Sequence, residues 1–156
     1  MEQLLDDVCA YVHNYFPTKK PNGIHTGIFN ISSGTIECDF LVEGQYFRVK
    51  GSIFNDGVHR YPATDLQDEE FIGEIWAMAV PQNLLSLIEE IEAWNAKYGG
   101  IDSVNYSPFT SESFNNYSYS KGSRSNGSGS SSGTPVTWKD AFASRLARWR
   151  KISDVI

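Results

Sequence analysis

The sequence predicts an α+β fold: a helical body, a small antiparallel β-meander inserted in it, and an extended C-terminal arm ending in a helix. Three observations predict it. Apolar residues recur at three- and four-residue steps near both ends of the first hundred residues. Between them, residues 24–66 alternate apolar and polar side chains around Gly-containing turns. A Ser- and Gly-rich stretch then precedes one last amphipathic segment. A chain of 156 residues, 40% hydrophobic and 21% charged, matches one globular domain and excludes collagen-like or wholly disordered chains. No apolar run approaches the ~20 residues of a membrane-spanning helix. Met1 to Asp7 lacks the basic start and apolar stretch of a signal peptide, so a cytosolic origin is expected.

The first helix spans roughly residues 2–16. Leu4, Leu5, Val8, Tyr11, Val12, Tyr15 and Phe16 share a face, Glu2, Asp6 and Asp7 complement the positive end of the helix dipole, and Pro17 cannot continue it. In the meander, Ile24, Thr26, Ile28 and Asn30 alternate with His25, Gly27, Phe29 and Ile31. Ser32-Ser33-Gly34 offers a turn before Thr35–Phe40, and Gln45–Lys50 is rich in strand formers. Asn55-Asp56-Gly57 is the strongest turn signal, with Val58–Tyr61 as the returning strand. Phe71–Val80 fits both periods; a helix entering from the acidic turn Asp65–Glu70 is the preferred reading. Pro81 suits the first position of a helix over 82–98, whose stripe is Leu84, Leu87, Ile88, Ile91, Trp94 and Tyr98, and Gly99-Gly100 ends it.

These elements divide the chain into a body (1–106), an extended Ser/Gly-rich arm (107–136) and a C-terminal helix (137–156). Ser107–Pro135 holds 11 Ser and 4 Gly, yet Phe109, Phe114, Tyr117 and Tyr119 crowd its first half, which is expected to dock; Ser123–Gly133 reads as a spacer. In the last segment Thr137 and Asp140 form a variant capping box, and Trp138, Phe142, Leu146 and Trp149 repeat at four, four and three residues. The net charge of −6 is divided: residues 1–100 carry 15 acidic and 6 basic side chains, or −9, and residues 101–156 carry 4 and 7, or +3. An acidic body with a basic tail does not suggest a surface that binds nucleic acid throughout.

Catalytic patterns are missing. There is no phosphate-cradling Gly-rich loop, nucleophile elbow or metalloprotease motif. His13, His25 and His59 fall on different elements, and Cys9 and Cys38 lack metal-site spacing. Asp65, Asp68, Glu69 and Glu70 are oxygen-rich but without the ligand spacing of a calcium loop. Neither a cofactor nor a metal is expected. The terminal helix carries the sharper reading. A helix packed on its own core is the plain alternative, but the preceding spacer can reach a neighbour, and Trp and Arg are frequent binding hot spots.

Several phrases carry a resemblance: Gly44-Gln45-Tyr46-Phe47-Arg48, Gly51–Val58, Leu66–Gly73 and Trp76–Pro81 before the long helix, then Ser111–Ser120, and Arg148-Trp149-Arg150-Lys151-Ile152 near the end. In this order the chain resembles the head–tail connector (neck adaptor) proteins of tailed phages infecting Gram-positive hosts, over nearly its whole length. The β insert departs from the mostly helical members. The resemblance implies a non-enzymatic virion protein at the neck, assembled in the host cytoplasm. It implies a ring of copies (a dodecamer) that joins the portal to a downstream stopper or tail protein, through which DNA passes without specific binding. Trp138, Phe142, Arg145, Leu146, Arg148, Trp149 and Arg150 would then bind the portal protein, and Phe109, Phe114, Tyr117 and Tyr119 would line an inter-subunit arm. The alternatives are a neck stopper or tail-completion protein, favoured by a closed barrel, and a carbohydrate-binding module using the 21 aromatic residues.

Overall fold

A computed structural model describes residues 1–19, 23–99 and 137–152 in full, and 111–114 and 117–120 by their backbone. The fold is α+β, around a curled antiparallel sheet of five strands. Residues 1–89 with 146–156 form one compact unit, and residues 90–145 a second.

In the first unit, α1 (Glu2–Tyr11) buries Leu5, Val8 and Cys9. The periodicity predicted this helix as far as Phe16, but it stops five residues earlier. The Asn14 carboxamide oxygen accepts the Phe16 amide at 3.0 Å, a local turn that competes with helical bonding, and His13 and Phe16 take left-handed φ values of 54° and 49°. Tyr15 and Phe16 therefore leave the helix, and Pro17 pairs with Met78.

The sheet runs β2 (Thr35–Ile36), β1 (Ile24–Ser32), β5 (Glu69–Ala77), β3 (Tyr46–Lys50), β4 (Gly57–Arg60) in spatial order. Thr35–Phe40, expected as a strand, contributes only its first two residues. The preferred helix over Phe71–Val80 is corrected: Phe71–Ala77 belongs to the central strand, and Met78–Val80 follow it without helix. The strand's backbone is paired on both sides, with Ile28↔Ile72 and Phe29↔Phe71 towards β1 and with Arg48↔Trp76 and Phe47↔Ala77 towards β3. Such pairing lies outside any local sequence window, and it settles an ambiguous period in favour of two. Gly73 belongs to it too, because a Cβ there would collide with the Lys50 carbonyl.

One face of the sheet is dry. Ile31, Ile36, Phe47, Val49, Phe71, Ile75 and Ala77 are buried there together with Cys38, Leu41, Ala63 and Leu66 from the connecting segments. On the other face α1 packs against β4, where Val58 is 5% exposed.

Pro81 stands just before α2 (Gln82–Tyr98), its carbonyl accepting the amides of Leu84 and Leu85, and Gly99 closes the helix on the Asn95 carbonyl. Leu84, Leu87, Ile88 and Ile91 of the predicted stripe are buried. In the second unit, β6 (Ser111–Phe114) and β7 (Tyr117–Ser120) form a separate two-stranded sheet. The terminal segment, predicted as one helix, is broken into α3 (Trp138–Ala141), α4 (Ala143–Leu146) and a tight turn over Ala147–Trp149. The capping box is present, with the Thr137 amide donating to the Asp140 carboxylate at 3.1 Å. Phe142, at φ −109° and ψ 5°, departs from helical geometry, and Arg150 is extended.

Candidate functional site

The terminal segment carries the residues that the sequence nominated for docking, and the structure separates them. Phe142 is buried, its ring edge-on to Trp94 at 6.3 Å, and Leu146 is fully buried. Both side chains are consumed by the molecule's own core, so the four-residue stripe is not one exposed face. The plain reading holds for these two. Arg145 makes a two-point contact with Glu90, at 2.6 and 2.9 Å, which holds the Glu90 carboxyl below its ordinary range. In the first unit the chain end is stitched down by its backbone: Lys151 donates to the Val12 carbonyl, and Asn14 to the Trp149 carbonyl at 3.2 Å. Trp149 is half-buried and meets Phe16 edge-to-face. Arg148 and Arg150 are exposed, their guanidiniums 4.6 Å over Trp149 and 5.9 Å over Tyr11. Trp138 is half-buried at the start of the segment.

Of the arm residues, Phe109 lies outside the described residues, as does the spacer 123–133. The backbone register of β6–β7, Glu112↔Tyr119 and Phe114↔Tyr117, places the other three nominated positions together. Residues paired across an antiparallel ladder share a face, as do alternate residues of one strand. Phe114, Tyr117, Tyr119 and Glu112 thus occupy one face of the hairpin, and Ser111, Ser113, Ser118 and Ser120 the other.

Two surfaces of the first unit escaped the sequence reading. The first is the β1 end of the sheet. Ile28 and Ile72 stand directly opposite each other on the face away from the core, 68% and 77% exposed. Beside them β2 covers β1 only at Ile31 and Ser32, so Ile24–Asn30 is an unpaired strand edge among the described residues. The alternation of Ile24, Thr26, Ile28 and Asn30 was visible in the sequence. Which side would be covered was not.

The second is the loop of residues 51–56. The Glu69 carboxylate accepts the Ser52 hydroxyl at 2.5 Å and the Ile53 amide at 2.8 Å, and the Asn55 carboxamide donates to it at 3.2 Å. These bonds, the Ser52 hydroxyl first, hold the Glu69 carboxyl below its ordinary value of 4.5. Buried Asn55 also exchanges two bonds with the backbone of Gln67. The loop is therefore rigidly tied beneath while its tip presents Ile53 and Phe54, 83% and 59% exposed. The acidic group Asp65–Glu70 is accordingly put to structural use: Glu69 organises this loop, and Asp68 accepts the Gly34 amide at 2.8 Å.

Polar chemistry elsewhere is dispersed. Among the described residues no group of three or more His, Cys, Asp or Glu converges on a point that could hold a metal. His25 stacks on Phe40, His59 bonds the Asn55 carbonyl, and His13 is exposed. A cleft of about 500 Å³ is lined by Glu2, Glu43, Arg60 and Asp65, without His59. Beneath α1, Arg48 stacks 3.8 Å from the Tyr15 ring, and burial pushes the Cys9 thiol up to about 12 and the Tyr15 hydroxyl to about 12. A thiol so shifted is inert as a nucleophile at neutral pH.

Set against known proteins, the chain matches no family model, no curated protein and no solved structure.

Proposed function

We propose that this chain is a structural protein of a tailed-phage virion, a ring-forming connector at the neck that joins portal to tail and continues the DNA channel without catalysis. The observation that carries the proposal is the β6–β7 hairpin. It falls on the phrase Ser111–Ser120, one of those that bear the resemblance, and forms a two-stranded sheet with its aromatic positions on one face. A two-stranded hairpin is marginal alone in water, which suits an arm completed by assembly. α1 and α2 serve as the helices of the connector body, residues 107–136 as its arm and the terminal segment as the portal contact. That contact is narrower than the sequence suggested: Phe142 and Leu146 anchor the segment in its own fold, leaving Arg148 and Arg150 with the flank of Trp149 to meet the portal. The −9 body suits a channel wall along which like-charged DNA slides without sticking.

The alternatives gain no specific support. A stopper was favoured by a closed barrel, and the sheet is open, with β2 and β4 at its edges among the described residues. A carbohydrate module needs an exposed aromatic platform, and Phe54 is the one exposed aromatic residue within 24–66.

Deleting the terminal segment would remove buried Leu146, so charge reversal is the cleaner test. The R148E/R150E double variant, folded by circular dichroism, is expected to lose co-sedimentation with portal-bearing capsids. Unchanged co-sedimentation removes the portal contact from this segment. A wild-type chain that neither binds portal nor forms rings in its presence removes the neck assignment altogether.

A further inference from the structure

We infer that the β6–β7 hairpin of one copy adds to the free β1 edge, Ile24–Asn30, of a second copy and extends its sheet. The contact deepens the ring-forming reading and rests on it, because it names what joins neighbouring subunits.

The edge is a receptive one. Ser33 and Gly34, at φ 54° and 75°, make a two-residue turn between β1 and β2, so Ser32 and Thr35 form the hydrogen-bonded pair that closes it. Lateral direction alternates along a strand. The N–H and C=O groups of Ile24, Thr26, Ile28 and Asn30 therefore point with those of Ser32, away from β5. The opposite set agrees, since the Gly23 carbonyl accepts the Ala77 amide on the β5 side. Natural edge strands are normally guarded by charge, proline or a bulge. The run Ile24-His25-Thr26-Gly27-Ile28-Phe29-Asn30 carries no Lys, Arg, Asp, Glu or Pro, and its register with β5 is continuous from Ile24 to Ile31. Beside this edge lies the exposed Ile28–Ile72 pair, so an added strand gains apolar contact as well as backbone bonds.

The hairpin is the matching half. It has two strands, one face with Phe114, Tyr117 and Tyr119, and no third strand among the described residues. Added to β1, it becomes part of a seven-stranded sheet. Charge favours the encounter: the segment 101–156 is +3 and the segment 1–100 is −9, with Lys121 and Arg124 just after β7 and Glu70 and Glu74 at outer positions of β5. Twelve residues separate α2 from β6 and seventeen separate β7 from α3, a contour length of at most roughly 40 and 60 Å. Hairpin to edge is a heterologous contact, and copies joined this way propagate until they close, as a ring requires.

The test is residue-resolved amide exchange on the 156-residue chain, dilute and concentrated, with mass measured in parallel. In the monomer the amides of His25, Gly27 and Phe29 are expected to be protected and those of Thr26, Ile28 and Asn30 to exchange freely. On association the second set slows by at least roughly tenfold, equivalent to ~1.4 kcal/mol. A Tyr117→Asp/Tyr119→Asp variant is expected to remain folded and to lose both association and protection. Thr26→Pro, which removes one outward N–H, is expected to weaken association while Thr26→Val does not. Protection of Thr26, Ile28 and Asn30 already in the monomer overturns the inference, since the chain then covers its own edge. So does protection that survives the hairpin variant. Portal-dependent rings with β1 unprotected overturn the strand contact and leave the neck assignment standing, whereas a chain that stays monomeric with and without portal removes both.

Discussion

At the β4 end of the sheet α1 lies over Val58 and seals it. At the β1 end Ile28 and Ile72 pair across two strands and remain open to water. Both places carry aliphatic side chains on strands of one sheet. The difference is what the remainder of the chain supplies. A helix ten residues long covers one end, while at the other the chain turns back after the two residues of β2. Exposed apolar patches and unguarded edges mark interaction surfaces in soluble proteins, and here the two coincide. The covered end serves folding, and the open end keeps its isoleucines in water.

The largest effect is expected on β5 itself, where Ile75 and Ile72 sit on opposite faces. Ile75 is fully buried, so Ile75→Ala is expected to cost about 2–5 kcal/mol in urea unfolding through lost burial and the cavity left behind. A smaller loss is expected from Asn55→Ala, about 1–3 kcal/mol, because Gln67 loses two partners and Glu69 one in a buried turn. The same unfolding assay reads it, and a change near zero would mean that the loop is not held from beneath.

The pH dependence of that loop follows from Glu69. Its folded pKa lies below the unfolded value of 4.5, so the stabilisation it gives is complete above 4.5 and fades as pH falls through the lower folded value. Amide exchange at Ile53 and Phe54 is expected to show extra opening of the loop in acid, and Glu69→Gln to remove that dependence. The smallest effect is expected at Ile72→Ala, within about 0.5 kcal/mol of wild type, since the side chain is already in water. If it matched the cost at Ile75→Ala, the outer face would not be bare and the comparison would collapse.

The legibility of the sequence was uneven in an instructive way. Leu84, Leu87, Ile88 and Ile91 announced α2 because a helix satisfies its own backbone within four residues, and the Thr137–Asp140 cap was legible for the same local reason. Phe71–Val80 was misread because its two partners, β1 and β3, begin more than twenty residues away in sequence. Phe142 and Leu146 matched the spacing of a docking stripe, yet periodicity describes a face and not what lies against it. The importance of Glu69 was hidden among four carboxylates until Ser52, Ile53 and Asn55 were brought to it. For the arm, the sequence nominated Phe114, Tyr117 and Tyr119 by composition; the pairing register then put them on one face.

By itself the sequence determined the features that depend on neighbours within a few residues: two helical stripes, a turn-punctuated β region, the capped terminal segment, and the opposition of a −9 body to a +3 tail. The tertiary structure alone decided which strand is central, which aromatics serve the core and which isoleucines stay in water. Those outcomes depend on long-range pairing and burial, where a β-strand finds its hydrogen bonds and an apolar side chain its cover in distant parts of the chain.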